Sequence, residues 1–131
     1  MKLFSTLTIL AFLFALSSCK KPTLPSNPER TIRYVLYTDK DFSGDNHIIT
    51  FSVIMKTLQG KTLFDSSLAP MKVEDIPDSL NRFIIEKKVP NNDTATLVVG
   101  FLYSIQDVGN SWYLDSCAST ETFKTVNYPF Q

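Results

Sequence analysis

Leu97-Val98-Val99-Gly100-Phe101-Leu102-Tyr103-Ser104-Ile105 decides the fold. Every second residue of this stretch is large and apolar, so Leu97, Val99, Phe101, Tyr103 and Ile105 share one side of an extended chain. Val98, Leu102 and Ser104 fall on the other side. The period of two and the β-branched residues specify a strand with a buried face. Gly100 interrupts it without a side chain to pack, which marks a bulge or the close approach of another chain.

The same rhythm extends in both directions. Toward the C-terminus, Val108-Gly109-Asn110 supplies a turn into a strand over residues 111–116, and residues 121–126 form the last one. Toward the N-terminus, Ile32, Tyr34 and Leu36 alternate with Arg33, Val35 and Tyr37. Ile49, Phe51, Val53 and Met55 oppose Thr50, Ser52, Ile54 and Lys56. Gln59-Gly60 is a hairpin turn into residues 61–64, and residues 71–76 form another short strand. Residues 77–88 carry a Pro77 suited to a first helical turn, with Leu80, Phe83 and Ile84 behind it. Phe83-Ile84-Ile85, with Val89 in phase, favours a turn over 77–81 followed by a strand. About seven or eight short strands at this spacing predict a mainly β domain, an antiparallel sandwich over residues 31–131. Trp112 is expected to pack in its core or at a sheet edge.

Upstream lies a different kind of sequence. Met1-Lys2 is followed by an apolar run over residues 3–16, broken only by Ser5, Thr6 and Thr8. The run is shorter than the ~20 residues a spanning helix needs, and it suits the apolar region of a secretory signal. It ends on Leu16-Ser17-Ser18-Cys19, an aliphatic residue, two small residues and a cysteine. This box resembles the lipobox of bacterial lipoproteins. The resemblance implies that residues 1–18 are a signal peptide removed between Ser18 and Cys19. It also implies that Cys19 carries a diacylglyceryl group, with palmitate-type chains. Each buried CH₂ contributes ~0.8 kcal/mol, and two or more chains hold a protein stably on a membrane. Lys20, rather than Asp, after the cysteine implies the cell outer membrane. Lys20-Lys21-Pro22 lacks the acidic cluster of surface-export signals, which favours the periplasmic face.

Cys19 and residues 20–30, KKPTLPSNPER, with three prolines, read as a lipidated tether over 19–30. At ~3.1 Å per residue in polyproline geometry the tether reaches ~30 Å. Length, anchor and strand rhythm together resemble small immunoglobulin-like or transthyretin-like sandwich lipoproteins of bacterial envelopes. The Cys…Trp…Cys framework of immunoglobulin domains is absent.

Composition narrows the function. The chain has 13 basic and 13 acidic residues, and loss of Lys2 with the signal leaves it slightly acidic. The basic footprint of a nucleic-acid binder is missing. Cys117 is the single cysteine left once Cys19 is acylated; it has no partner for a disulfide within the chain and is expected to be a buried small hydrophobe. His47 is the one histidine, which removes zinc sites built on two or more histidines, and it is expected at a strand rim. No glycine pattern of a nucleophile elbow accompanies any serine, and there is no phosphate-binding glycine loop.

Asp39-Lys40-Asp41-Phe42-Ser43-Gly44-Asp45 resembles the start of an EF-hand calcium loop, but Thr50 stands where the bidentate Glu belongs and the flanks read as strands. A polar hairpin loop uses the same residue types. Glu74, Asp75 and Asp78 surround Ile76-Pro77 as loop and cap carboxylates. Glu86-Lys87-Lys88 reads as a solvated edge, where lysines prevent unwanted strand pairing.

These observations predict a lipid-anchored envelope protein that is not an enzyme. It would act as a binding or scaffolding module, with no cofactor or metal, toward a protein partner in the envelope. The alternatives are a small hydrolase built on His47 or paired carboxylates, a calcium-dependent module, and a fimbrial subunit cleaved at Arg30.

Overall fold

The computed structural model describes residues 28–90 and 93–131. The expected signal over 1–18, the acylated Cys19 and tether residues 20–27 lie outside the described residues. Among the described residues, no helix is long and apolar enough to cross a membrane.

Eight strands form in chain order: β1 (Thr31–Thr38), β2 (Ile48–Thr57), β3 (Thr62–Ser67), β4 (Met71–Lys72), β5 (Phe83–Lys88), β6 (Leu97–Ile105), β7 (Gly109–Cys117) and β8 (Phe123–Phe130). One short 3₁₀ turn, Val73–Asp75, follows β4. Residues 77–88 resolve as expected, with a turn held by Asp78 and then β5.

The strands build two sheets, one ordered β5-β1-β8 and the other β3-β2-β6-β7, with β4 also paired to β2. All pairs are antiparallel except β1 and β8, which run parallel with Thr31 opposite Phe123 and Thr38 opposite Phe130. Parallel neighbours need a long crossover. Here the crossover is the rest of the domain, because β1 is its first strand and β8 its last.

The core lies between the sheets. Ile32, Tyr34 and Leu36 from β1 and Val126, Tyr128 and Phe130 from β8 meet Ile49, Phe51, Val53 and Met55 from β2 and Leu97, Val99 and Phe101 from β6. Those from β1, β2 and β6 are the apolar phases that alternation marked; β8 runs on past the expected residue 126 and adds Tyr128 and Phe130. Aromatic rings fill the centre. Phe101 meets Tyr34 edge-on at 5.8 Å between centroids, and Phe51 meets Phe130 edge-on at the same distance. Such contacts add ~0.5–1.5 kcal/mol each beyond their burial. The Tyr34 hydroxyl donates to the Ile54 carbonyl at 2.9 Å, so its polar end is satisfied in the interior.

Each open side of the sandwich is closed by a side-chain pair. Tyr113 of β7 stacks on Tyr128 of β8 at 4.7 Å. On the other side, Lys87 lies opposite Ile32 in register, so it points inward, and its ammonium sits 4.8 Å from the Phe64 ring centroid. Lys87, expected on a solvated edge, is instead turned inward, while Glu86 and Lys88 are exposed on the edge strand β5; an inward charge on an edge strand disfavours further pairing.

A buried contact lies just before β1. Arg30, expected in the tether, is 3% exposed. Its Nε donates to Glu121 O at 3.0 Å, and Nη1 donates to Asp93 O and Ala95 O, both at 2.8 Å. Nη2 donates to Ala118 O at 2.9 Å and faces Cys117 Sγ at 3.2 Å and Cys117 O at 3.4 Å. A guanidinium has five N–H donors, and all five are engaged. The Arg30 carbonyl accepts from Val89 N, and Thr31 N donates to Thr122 O. Arg30 therefore gathers the end of the sandwich: the entry of the chain, the loop before β6 and the loop after β7.

Candidate functional site

The acidic loop between β1 and β2 is tied within itself and to the 3₁₀ turn after β4. Asp41 accepts from Ser43 N at 2.9 Å and from the Ser43 hydroxyl at 2.5 Å. Asp45 accepts from His47 N and pairs with His47 Nδ1 at 2.7 Å. Gly44 turns the chain at φ 82° and donates to Glu74, whose carboxylate also takes Lys72 Nζ at 2.8 Å. Asp41 and Asp45 bind backbone amides and neighbouring side chains, in Asx-type turns. Among the described residues, no three His, Cys, Asp or Glu side chains converge as a metal site requires. His47 sits exposed just before β2, at the rim where it was expected.

The same bonds hold these acids below the usual carboxylate range. Ser43 does so for Asp41, His47 for Asp45, Lys72 for Glu74, and the Asn81 amide for Asp78. In the folded state these groups release their protons at lower pH than in the unfolded chain. Their stabilisation is therefore complete above about pH 4.5 and is lost as pH falls through about 4 and below. All are at the surface, so each effect is small and screened by salt. The melting temperature is expected to stay level from about pH 7 to 5 and to decline below about pH 4. Asp45→Asn should shallow that decline. A series of thermal melts across this range checks both.

Cys117 is fully buried, as expected, against the Arg30 guanidinium. Burial pushes its thiol up from the usual range, with the Arg30 guanidinium opposing.

The open chemistry lies elsewhere, on the outer face of the five-stranded sheet. Register places its residues in rows. Ser67, Ser52, Leu102 and Trp112 form one row across β3, β2, β6 and β7. Thr50, Ser104 and Asn110 form the row on one side of it; Ile54, Gly100 and Leu114 form the row on the other. Trp112, expected in the core or at an edge, is 66% exposed on this face, and Leu114 beside it is 43% exposed. The inward position on β7 belongs to Tyr113, because Tyr113 pairs with the buried Phe101. A one-residue change of phase moves every side chain of a strand to the other face.

Gly100 shapes this face. A Cβ built on it would lie 2.0 Å from the Tyr113 carbonyl oxygen. Its missing side chain lets β7 close onto β6, which is the close approach its place in the strand suggested. The first two rows line a groove of about 430 Å³ that is open to solvent, within the ~300–1,000 Å³ of small-molecule sites. Trp112 and Leu102 form its apolar part, and Ser52 Oγ and Ser67 Oγ, 2.8 Å apart, lie among its hydroxyls.

Sequence reasoning placed no site here, although the paired hydroxyls and a tryptophan on one strand face are visible once the phase of β7 is known. Comparison with protein-family models, curated proteins and solved structures found no match.

Proposed function

We propose that the protein is a lipid-anchored envelope component that acts as a binding module rather than an enzyme, with the outer face around Trp112 as its contact surface. The carrying observation is the exposure of Trp112 beside Leu102 and Leu114 on a sheet face. The solvent face of an antiparallel sheet ordinarily carries polar residues. A large aromatic held open in a groove is the kind of side chain that dominates binding energies elsewhere. Leu16-Ser17-Ser18-Cys19 supports the anchor, Lys20 in the place after the cysteine supports the outer-membrane location, and the residues that follow support a tether that lets the domain reach its target.

Arg30 counts against the fimbrial alternative, because a cut after it would sever the residue that gathers the end of the sandwich.

The intact chain is expected in the membrane fraction of its host. The mature chain from Lys20 onward, made without signal or lipid, is expected to be soluble and should still bind isolated envelopes. Adding Trp112→Ser should weaken that binding by at least about tenfold with a stability change within about 0.5 kcal/mol. Sedimentation with envelopes and a thermal melt measure the two. Undiminished binding of the Trp112→Ser protein would remove this face from the account.

A further inference from the structure

We infer that the Trp112 groove takes a neutral glycan; this rests on the reading that the Trp112 face is the contact surface. Charge is the first argument. None of the groove's lining residues is charged. The charged positions on the same face, Asp65, Lys56 and Lys72, lie in register with Ile54–Leu114, Val98–Ser116 and Ile48, outside the groove's two rows. A phosphate, a nucleic acid or a charged peptide would find no counter-charge there, whereas a neutral ligand loses nothing by its absence.

The second argument is the kind of neutral ligand these groups fit. A pyranose ring presents a face of C–H bonds and a rim of hydroxyls. An indole presents a flat apolar face with negative π density, which attracts C–H groups carrying slight positive charge. Beside Trp112, the groove offers the hydroxyls of Thr50, Ser52, Ser67 and Ser104 and the amide of Asn110. Each hydroxyl both donates and accepts, as does the amide, so they complement a polyol in either sense. All are short side chains, which lose little rotamer freedom when a ligand fixes them. A wholly apolar ligand would leave these groups facing hydrocarbon without hydrogen bonds. A protein partner needs about 800 Å² with an apolar centre; the apolar positions not buried on this face are Ile48, Val98, Leu102, Trp112 and Leu114, and the polar row of Thr50, Ser104 and Asn110 separates Ile48 from the rest.

Trp112 is the single tryptophan of the chain, so its emission reports the site directly. The unlipidated mature chain from Lys20 onward is titrated separately with cellohexaose, chitohexaose, maltohexaose and mannohexaose, and with hexagalacturonate as an acidic control. At least one neutral hexamer is expected to shift the emission to the blue, saturably and below about 10 mM, and to protect Trp112 from acrylamide. By calorimetry, Asn110→Ala and Ser52→Ala should weaken that binding at least about threefold, and Ser116→Ala, outside the groove, should leave it unchanged. Absence of a saturable shift with every neutral hexamer, or equal binding of hexagalacturonate, overturns the glycan assignment. A parallel quenching measurement with isolated envelopes separates the two levels. Protection by envelopes without protection by any hexamer overturns the glycan and keeps the face. Protection by neither removes both. Protection that rises with protein concentration alone assigns the face to a second copy of the chain and also overturns the proposal.

Discussion

The Arg30→Met variant is expected to lose about 3 kcal/mol or more of folding free energy. For a domain of this size that lowers the melting temperature by about 12–24 °C. Methionine keeps most of the aliphatic stem, so the loss isolates the guanidinium. Arg30 is 3% exposed, and its donors hold the carbonyls of Asp93, Ala95, Ala118 and Glu121 at 2.8–3.0 Å. Each carbonyl left buried without a donor costs about 1–3 kcal/mol. Ala118 is exposed at the surface, so water relieves part of that cost and the total stays below the sum. Arg30→Lys restores the charge but offers three donors from one point in place of a planar fork of five. It should fall between the wild-type protein and Arg30→Met. Amide exchange should quicken in the loops around Asp93 and Ala118 before the rest of the domain. Thermal melts of the three proteins, with exchange on the middle one, are the check. A melting temperature for Arg30→Met within about 2 °C of the wild type would show that the guanidinium does not hold this end together.

Gly100→Ala should be comparably damaging for an opposite reason, since it adds an atom where the backbone already lies. The new Cβ would sit 2.0 Å from Tyr113 O and 3.0 Å from Leu114 Cα. Neither obstacle is a side chain that can rotate away, so β7 has to move outward from β6. That strains the ladder running from Leu97–Cys117 to Ile105–Gly109 and loosens the Tyr113–Tyr128 stack that closes one side of the sandwich. Overpacking of this kind costs about 1–3 kcal/mol when side chains can adjust and more when backbone must. About 3 kcal/mol or more is expected by chemical denaturation. Ser104→Ala, on the same strand and exposed, should change stability by no more than about 0.5 kcal/mol. Equal stability of the two variants would contradict the close approach of β7.

The strands were legible because two-residue alternation is strong wherever one phase is apolar and the other polar. β2 is such a strand apart from Ile54: Ile49, Phe51, Val53 and Met55 are buried and Thr50, Ser52 and Lys56 are not, but Ile54 on the outward phase is buried too. In β6 the inward Leu97, Val99 and Phe101 are buried and the outward Val98 and Leu102 are half-buried. β7 is not such a strand: Trp112 and Leu114 occupy one phase, Tyr113 and Cys117 the other. Alternation alone cannot choose between them, and the choice falls to Phe101, which takes Tyr113 as its inward partner. Trp112 is thereby turned outward, and with it the groove becomes visible. The turn before β7 lies over residues 106–108 rather than at 108–110, with Asp107 at φ 61° and Gly109 already in the strand. β8 runs past the expected residue 126 to Phe130 because an edge strand tolerates Pro129. Its parallel pairing with β1 has no local signature, since periodicity carries no direction. Arg30 was illegible for another reason. Among prolines and polar residues a buried arginine looks like any solvated one, and its partners are backbone carbonyls, to which any sequence contributes.

Position-specific photocrosslinking on native envelopes tests the proposed contact surface most directly. A photoreactive residue in place of Leu114 samples the Trp112 face, and one in place of Thr125, exposed on the outer side of the β5-β1-β8 sheet, samples the opposite face. With the lipid anchor intact, crosslinks to envelope material should form from position 114, disappear when Trp112→Ser is added, and stay at background from position 125. Crosslinks from position 125 with none from position 114 would place the contact on the other sheet and contradict the account.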